Sequence, residues 1–62
     1  MMNNLSQLVQ WAKNIAKEYP IHRDEIWNLI SLCQDEIEEG GSEPHEVELC
    51  YTEICQLTGI DE

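Results

Sequence analysis

The sequence has few basic residues and no long apolar run. Lys13, Lys17 and Arg23 are its only bases, which is too few for a cationic face that would bind nucleic-acid phosphates or lipid headgroups. Its apolar stretches end after two or three residues, whereas a helix that spans a bilayer needs roughly 20. We therefore expect neither direct nucleic-acid binding nor a membrane protein.

The spacing of the three cysteines does not suggest a metal site. The three cysteines are an odd number, and no N-terminal run is typical of a secretory signal, so we expect a reduced, cytoplasmic protein. Cys50 and Cys55 do not have the CxxC spacing of a local zinc site. Cys33 and Cys50 fall on apolar faces and are interpreted as small buried residues. No metal and no cofactor is predicted.

Little in the sequence is typical of an enzyme. A cysteine nucleophile needs a histidine base and a cleft, and 62 residues leave little room for one. His45 lies near Cys50 in sequence, but it is interpreted as a solvated residue in the first turn of a helix. Gly40-Gly41 is interpreted as a turn, since the acids that follow it would repel a phosphate. We expect no enzymatic activity.

What the sequence does have is negative charge, concentrated in one part of the chain. Thirteen acids and three bases give a formal net charge of -10. The first 23 residues hold all three bases and one acid, whereas residues 24 to 62 hold twelve acids and no base. Such a surface attracts basic protein surfaces. A protein partner with a basic surface is therefore expected.

Three amphipathic helices are predicted from the spacing of the apolar residues. The first runs from Leu5 to Tyr19, with Asn4 as its N-cap, Gln7 completing a capping box and Pro20 ending it. Its apolar positions repeat every three or four residues: Leu5, Leu8, Val9, Ala12, Ile15, Ala16 and Tyr19.

The second helix is predicted to begin between His22 and Asp24 and to run to Glu39. Asp24 and Glu25 complement the dipole of its first turn, and Gly40 and Gly41 end it. One apolar stripe follows its length: Ile26, Leu29, Ile30, Cys33 and Ile37, widened by Trp27 and Leu32.

The third helix is predicted to be capped by Ser42 or Glu43, with Pro44 in its first turn, and to end at Gly59. Its apolar face consists of Val47, Cys50, Tyr51, Ile54 and Leu57. The connections are short and no segment alternates with a period of two. The fold class is therefore all-α: residues 1 to 62 form a single domain, either a helical hairpin or a small three-helix bundle.

Two groups of residues are candidates for binding a partner. Trp11 and Trp27 lie at the edges of apolar stripes, where they either anchor an interface or complete a thin core. The acids around the Gly-Gly turn have three interpretations: they bind a basic partner, imitate the phosphate rows of DNA and so inhibit a nucleic-acid-binding protein, or only keep the chain soluble. The candidate partner-binding residues are Trp11, Trp27, Asp35, Glu36, Glu38, Glu39, Glu43 and Glu46.

The size of the core suggests assembly. A chain this short buries only about 60% of the surface that it exposes when unfolded, and a second copy would enlarge the core. We predict a homodimer packed through the first helix and the start of the second, with the acidic ends pointing away. A structural homodimer whose acids serve only solubility is a third functional hypothesis.

Three segments resemble a known group of proteins. Residues 24 to 27 (DEIW), 32 to 42 (LCQDEIEEGGS) and 45 to 51 (HEVELCY) resemble small acidic accessory proteins from the early regions of lambdoid bacteriophages. The resemblance implies a bacterial cytoplasm and a regulatory part in phage development or host physiology through protein-protein contacts. It implies a role for no particular residue.

Overall fold

The computed structural model describes residues 3 to 60, which form three α-helices joined by short connections. Helix α1 spans Leu5–Glu18, α2 spans Arg23–Glu38 and α3 spans Glu43–Thr58. A 3-10 turn at Pro20–His22 links α1 to α2. No strand occurs in the described part of the chain. The predicted all-α class is confirmed, and of the two architectures considered the chain adopts the three-helix bundle.

The start of α1 is capped as the sequence predicts, with one change of partner. The Asn4 side chain accepts a hydrogen bond from the backbone N–H of Gln7 at 2.9 Å. The Gln7 side chain accepts from the N–H of Asn3 at 3.3 Å, one residue before the position that a capping box would use. The helix ends before Pro20 because the residue preceding a proline avoids the α region.

The turn between α2 and α3 requires both of its glycines. Gly40 has φ +103°, which an L-residue with a side chain rarely adopts. The N–H of Gly41 donates to the carbonyl of Glu36 at 2.9 Å, and a Cβ at Gly41 would lie 2.7 Å from that oxygen. This tight turn reverses the chain and lays α3 antiparallel along α2.

The start of α3 differs from the prediction in one detail. Ser42 occupies the N-cap position, but its side chain makes no capping hydrogen bond. The Glu43 carboxylate instead reaches the N-terminus of α1, as described below. The end of α3 follows the prediction, since Gly59 has φ +79° and its N–H donates to the carbonyl of Cys55 at 2.9 Å.

One core lies between the three helices, and most of the predicted apolar stripes enter it. Leu8, Ile26, Val47 and Ile54 are completely buried. The rest of the buried core consists of Ala12, Ile15, Ala16, Ile30, Cys33 and Cys50. Partly buried residues packed around it include Leu5, Val9, Trp11, Tyr19, Trp27, Leu29, Ile37, Tyr51, Leu57 and Ile60.

The single bundle already buries much of the apolar surface that a second copy was expected to cover. This affects how the predicted dimer can be tested. Leu8 has no exposed surface within the single chain. A substitution of Leu8 would therefore test whether the bundle folds. It could not distinguish the dissociation of a dimer from the unfolding of the chain.

Two details of the predicted core are corrected. Leu32 was assigned to the apolar stripe of α2, but it is 60% exposed, because it lies on the side of α2 that faces away from α1. Cys55 was not assigned to an apolar face, yet it is buried. It lies in the last turn of α3, where the N–H of Ile60 also bonds to the Cys55 carbonyl at 3.0 Å and closes the chain over the helix end.

Candidate protein-interaction surface

The outer side of α2 carries a second stripe beside the one that enters the core, and Leu29 lies at the border of the two. Glu25, Leu29, Leu32 and Glu36 are spaced at i, i+4, i+7 and i+11, which places them on one face of a helix. Leu29 is half-buried, and the other three side chains are exposed. This face therefore presents two leucines between two carboxylates.

The outer side of α3 carries the matching stripe. Glu46, Leu49, Glu53 and Leu57 follow one another at i, i+3, i+7 and i+11 and so share one face as well. Leu49 is 46% exposed. Because α3 runs antiparallel to α2, Glu46 and Leu49 lie beside Glu36 and Leu32, and Glu53 and Leu57 lie beside Glu25 and Leu29.

The two stripes form the walls of a surface depression, which we term the α2/α3 groove. Its wider end has a volume of about 500 Å³, and its narrower end, of about 120 Å³, lies toward the Gly-Gly turn. The two ends share Leu29 and Glu53. The lining residues are Glu25, Asn28, Leu29, Leu32, Cys33, Glu36, Glu46, Leu49, Cys50, Glu53, Gln56 and Leu57.

The charged residues that line the groove are all negative. Glu25, Glu36, Glu46 and Glu53 line it, and no Lys or Arg does. The one ion pair with Lys or Arg found in residues 3 to 60 joins Arg23 to Asp24 at 3.9 Å on the exposed surface, and neither residue lines the groove. The negative charge of the groove therefore remains available for attracting a basic molecule.

Two thiols form the floor of the narrow end of the groove. Cys33 of α2 and Cys50 of α3 are buried, and each affects the pKa of the other. Burial raises the pKa of the Cys50 thiol to about 12, with further contributions from Cys33 and Glu53. Burial also raises the pKa of Cys33, and the nearby charge of Glu46 acts in the same direction. Both thiols are therefore protonated at neutral pH, so this pair is a part of the core and not a nucleophile.

The predicted acidic residues do not all lie on one surface. Glu36 and Glu46 line the groove. Asp35, Glu38 and Glu39 are exposed in the last turn of α2 and at its C-cap, outside the groove lining. These three carboxylates lie near the Gly-Gly turn and do not belong to the groove.

Glu43 has a structural role that the sequence did not suggest. Its Oε2 accepts a hydrogen bond from the backbone N–H of Leu5 at 2.8 Å, across 38 positions of the chain. A carboxylate at the N-terminus of a helix satisfies a free N–H and complements the helix dipole. Glu43 therefore ties the start of α3 to the start of α1.

The two tryptophans are half-buried and pack against the core. The ring of Trp11 lies on that of Tyr51, with 4.7 Å between centroids and 51° between planes, so it joins α1 to α3. Trp27 packs against the core from the first turns of α2. Each of the two therefore takes part in the packing of the bundle, and neither lines the groove.

Sequence reasoning missed most of the residues that form the groove. Glu25 was assigned only to the helix dipole, Leu32 was assigned to the edge of the apolar stripe of α2, and Leu49 and Glu53 were assigned no role. A signal was present: in both helices Glu and Leu recur at i, i+3 or i+4, i+7 and i+11, one helix face away from the core stripe. A second stripe that combines leucine and glutamate is the pattern that would have identified this surface.

A metal site or a membrane-spanning helix would be a different kind of functional feature. Within residues 3 to 60, no group of three or more His, Cys, Asp or Glu side chains is arranged to hold a metal ion. No helix in that range has the length and apolar character to cross a membrane.

The class defined by fold and surface is a small, acidic three-helix bundle with an open groove. Comparison with known proteins finds no family model, no curated protein and no solved structure that matches this chain. The geometry and charge of the chain itself are therefore what indicates its function.

Proposed function

We propose that the protein is a non-enzymatic interaction module that binds a basic surface of another protein. The observation that carries this proposal is the α2/α3 groove, in which exposed leucines lie between four glutamates with no base among the lining residues. Opposite charge steers association, and apolar contact then supplies affinity and residence time. A surface that served only solubility would not need leucines between its acids.

The setting that we propose comes from the resemblance to phage accessory proteins. In a bacterial cytoplasm, a small acidic module would act on host physiology or on phage development by occupying a host protein. Asp35, Glu38 and Glu39 are exposed near the Gly-Gly turn, and they would add negative charge for a partner that is larger than the groove.

Inhibition by imitation of DNA is the second candidate, which the acid-rich outer side of the bundle favours. It makes a different demand on the partner, whose phosphate-binding surface must be occupied by the carboxylates. The leucines of the groove favour the first candidate, because a DNA backbone offers no apolar row for a mimic to copy.

The experiment is affinity capture from a bacterial lysate at low and at high salt, with two matched variants. Glu36→Gln/Glu46→Gln removes two charges from the groove. Glu18→Gln/Glu48→Gln removes two exposed charges outside the groove lining.

We expect a specific protein with a basic surface that the unaltered chain and the Glu18/Glu48 control retain and the groove variant loses. Equal loss in both variants, or no specific partner at either salt concentration, would contradict the proposal. A captured protein that DNA displaces, and whose retention needs no leucine of the groove, would instead establish mimicry.

A further inference from the structure

The α2/α3 groove lies where a fourth helix would pack. Helix α1 contacts both α2 and α3 on the side of the core, and no residue of α1 lines the groove. The opposite side of the α2 and α3 pair is therefore open. An amphipathic helix laid in such a groove would complete a four-helix bundle, which is a common way for a partner helix to be recognised.

We propose that the groove binds one amphipathic α-helix of a partner protein, with apolar side chains on the face that enters the groove and Lys or Arg on both flanks. The inference rests on the proposed function, which it deepens by naming the shape and chemistry of the partner surface.

The length of the groove sets the length of its occupant. Glu25 and Glu36 are eleven positions apart on α2, and so are Glu46 and Leu57 on α3. At about 1.5 Å per residue this distance is about 16 Å, or three helical turns. The occupant therefore contributes apolar side chains at i, i+3 or i+4, and i+7, which would contact Leu29, Leu32 and Leu49.

Charge complementarity decides what kind of helix fits. Each wall of the groove holds two glutamates, so a helix with bases on both flanks would pair with both walls. A second copy of this chain could offer bases only at Lys13, Lys17 and Arg23, and the apolar residues of its α1 are buried in or packed against its own core. Its α2 and α3 would bring further acids into the groove. Like charges placed opposite each other disfavour that pairing. The walls therefore select a basic helix over a second copy.

The test uses a fluorescein-labelled synthetic peptide of about four turns, roughly 14 residues of Leu and Lys with every Leu on one helix face. Its control peptide has the same composition with the leucines distributed around the helix. Binding to the full chain is measured by fluorescence anisotropy.

Two protein variants accompany the peptides. Leu32→Gln/Leu49→Gln changes exposed leucines of the groove, and Ile21→Gln changes a residue that is 86% exposed and lies outside it. Circular dichroism verifies that each variant retains its helices.

We expect the one-faced peptide to bind at least about tenfold more tightly than its control, since only it can bury its leucines together. Leu32→Gln/Leu49→Gln should remove that difference, and Ile21→Gln should leave it unchanged. Equal binding of the two peptides would overturn the helix inference and leave the proposed recognition of a basic surface standing. A dimer in sedimentation equilibrium that Leu32→Gln/Leu49→Gln dissociates would also overturn the inference, by showing a second copy in the groove.

Failure of the proposed function has a different signature. In that case the affinity capture yields no partner that depends on Glu36 and Glu46, whatever the peptides do. Discrimination between the peptides without any such partner would show that the groove accepts an amphipathic basic helix. It would place the error in the proposed function.

Discussion

The two sides of the α2 and α3 pair are built from similar residues and have opposite environments. On the inner side, Ile26, Val47 and Ile54 belong to the core that is shared with α1 and are completely buried. On the outer side, Leu32 and Leu49 are about half exposed and stand between glutamates. The difference teaches that an apolar stripe on a helix does not by itself indicate a core. The inner stripe stabilises the fold, and the outer stripe remains available for binding.

The largest expected effect is the difference in stability between two alanine variants, one on the inner side and one on the outer side. Ile54→Ala removes a completely buried side chain and should lower the free energy of unfolding by about 2–5 kcal/mol. Leu32→Ala, on the outer side, should change it by no more than about 0.5 kcal/mol. Urea unfolding of both variants checks this. Similar losses of unfolding free energy in the two variants would show that Leu32 stabilises the fold as Ile54 does. The two sides would then not differ in this respect.

Alkaline pH should destabilise the inner side through its thiols. The pKa of Cys50 rises from 9.0 to about 12 on folding. A raised pKa means that the folded chain holds the proton more tightly, so this stabilisation is complete below pH 9 and is lost as pH rises toward 12. We expect the Tm to fall over that interval.

Cys50→Ala provides the control, because it lacks the thiol whose pKa is raised to about 12. Its Tm should fall less steeply between pH 9 and pH 12 than that of the unaltered chain. Identical slopes would mean that other groups cause the alkaline loss.

A smaller effect is expected from the contact between Glu43 and α1. Glu43→Gln keeps the size of the side chain but weakens the charge-assisted hydrogen bond to the N–H of Leu5. The loss should be about 0.5–1 kcal/mol, in the range of a helix cap. Glu48→Gln, an equally exposed site on the same helix, should be neutral or slightly stabilising. Thermal unfolding that ranks the two variants in the reverse order would show that the contact does not stabilise the bundle.

The smallest expected effect concerns repulsion between the outer carboxylates. Added salt should raise the Tm modestly, since it screens like charges on an exposed surface. Glu36→Gln/Glu46→Gln should reduce this response more than Glu18→Gln/Glu48→Gln, because the groove holds its acids close to one another. If salt lowers the Tm of the unaltered chain, the carboxylates are engaged in favourable pairs instead.

Much of the helical architecture could be predicted from local signals. Asn4, Pro20, the Gly40-Gly41 pair and Gly59 mark helix ends through hydrogen bonding and φ preferences that act over a few residues. The positions of Leu32 and Cys55 could not be predicted in this way. Periodicity assigns a residue to a face, but which face meets a neighbouring helix depends on the crossing of helices that are distant in sequence.

The candidate surface was predicted less completely, for the same reason. The excess of acid after Arg23 was visible as composition, and Glu36 and Glu46 were among the candidates that it suggested. The groove itself requires two stripes on different helices to lie side by side, which composition does not specify. Trp11, a candidate anchor, packs against Tyr51 across 40 positions of the chain, a contact that no local pattern indicates.

The sequence by itself determined the helices, their ends and the sign of the surface, because capping, periodicity and charge are properties of neighbouring residues. Only the tertiary structure decided which apolar stripe became the core, how Glu43 joined two helix starts, and where leucines and glutamates met in one groove. Those outcomes depend on the antiparallel packing of α2 and α3 and on the side that α1 covers. Packing brings together residues that are far apart in the chain, so their proximity cannot be read from spacing alone.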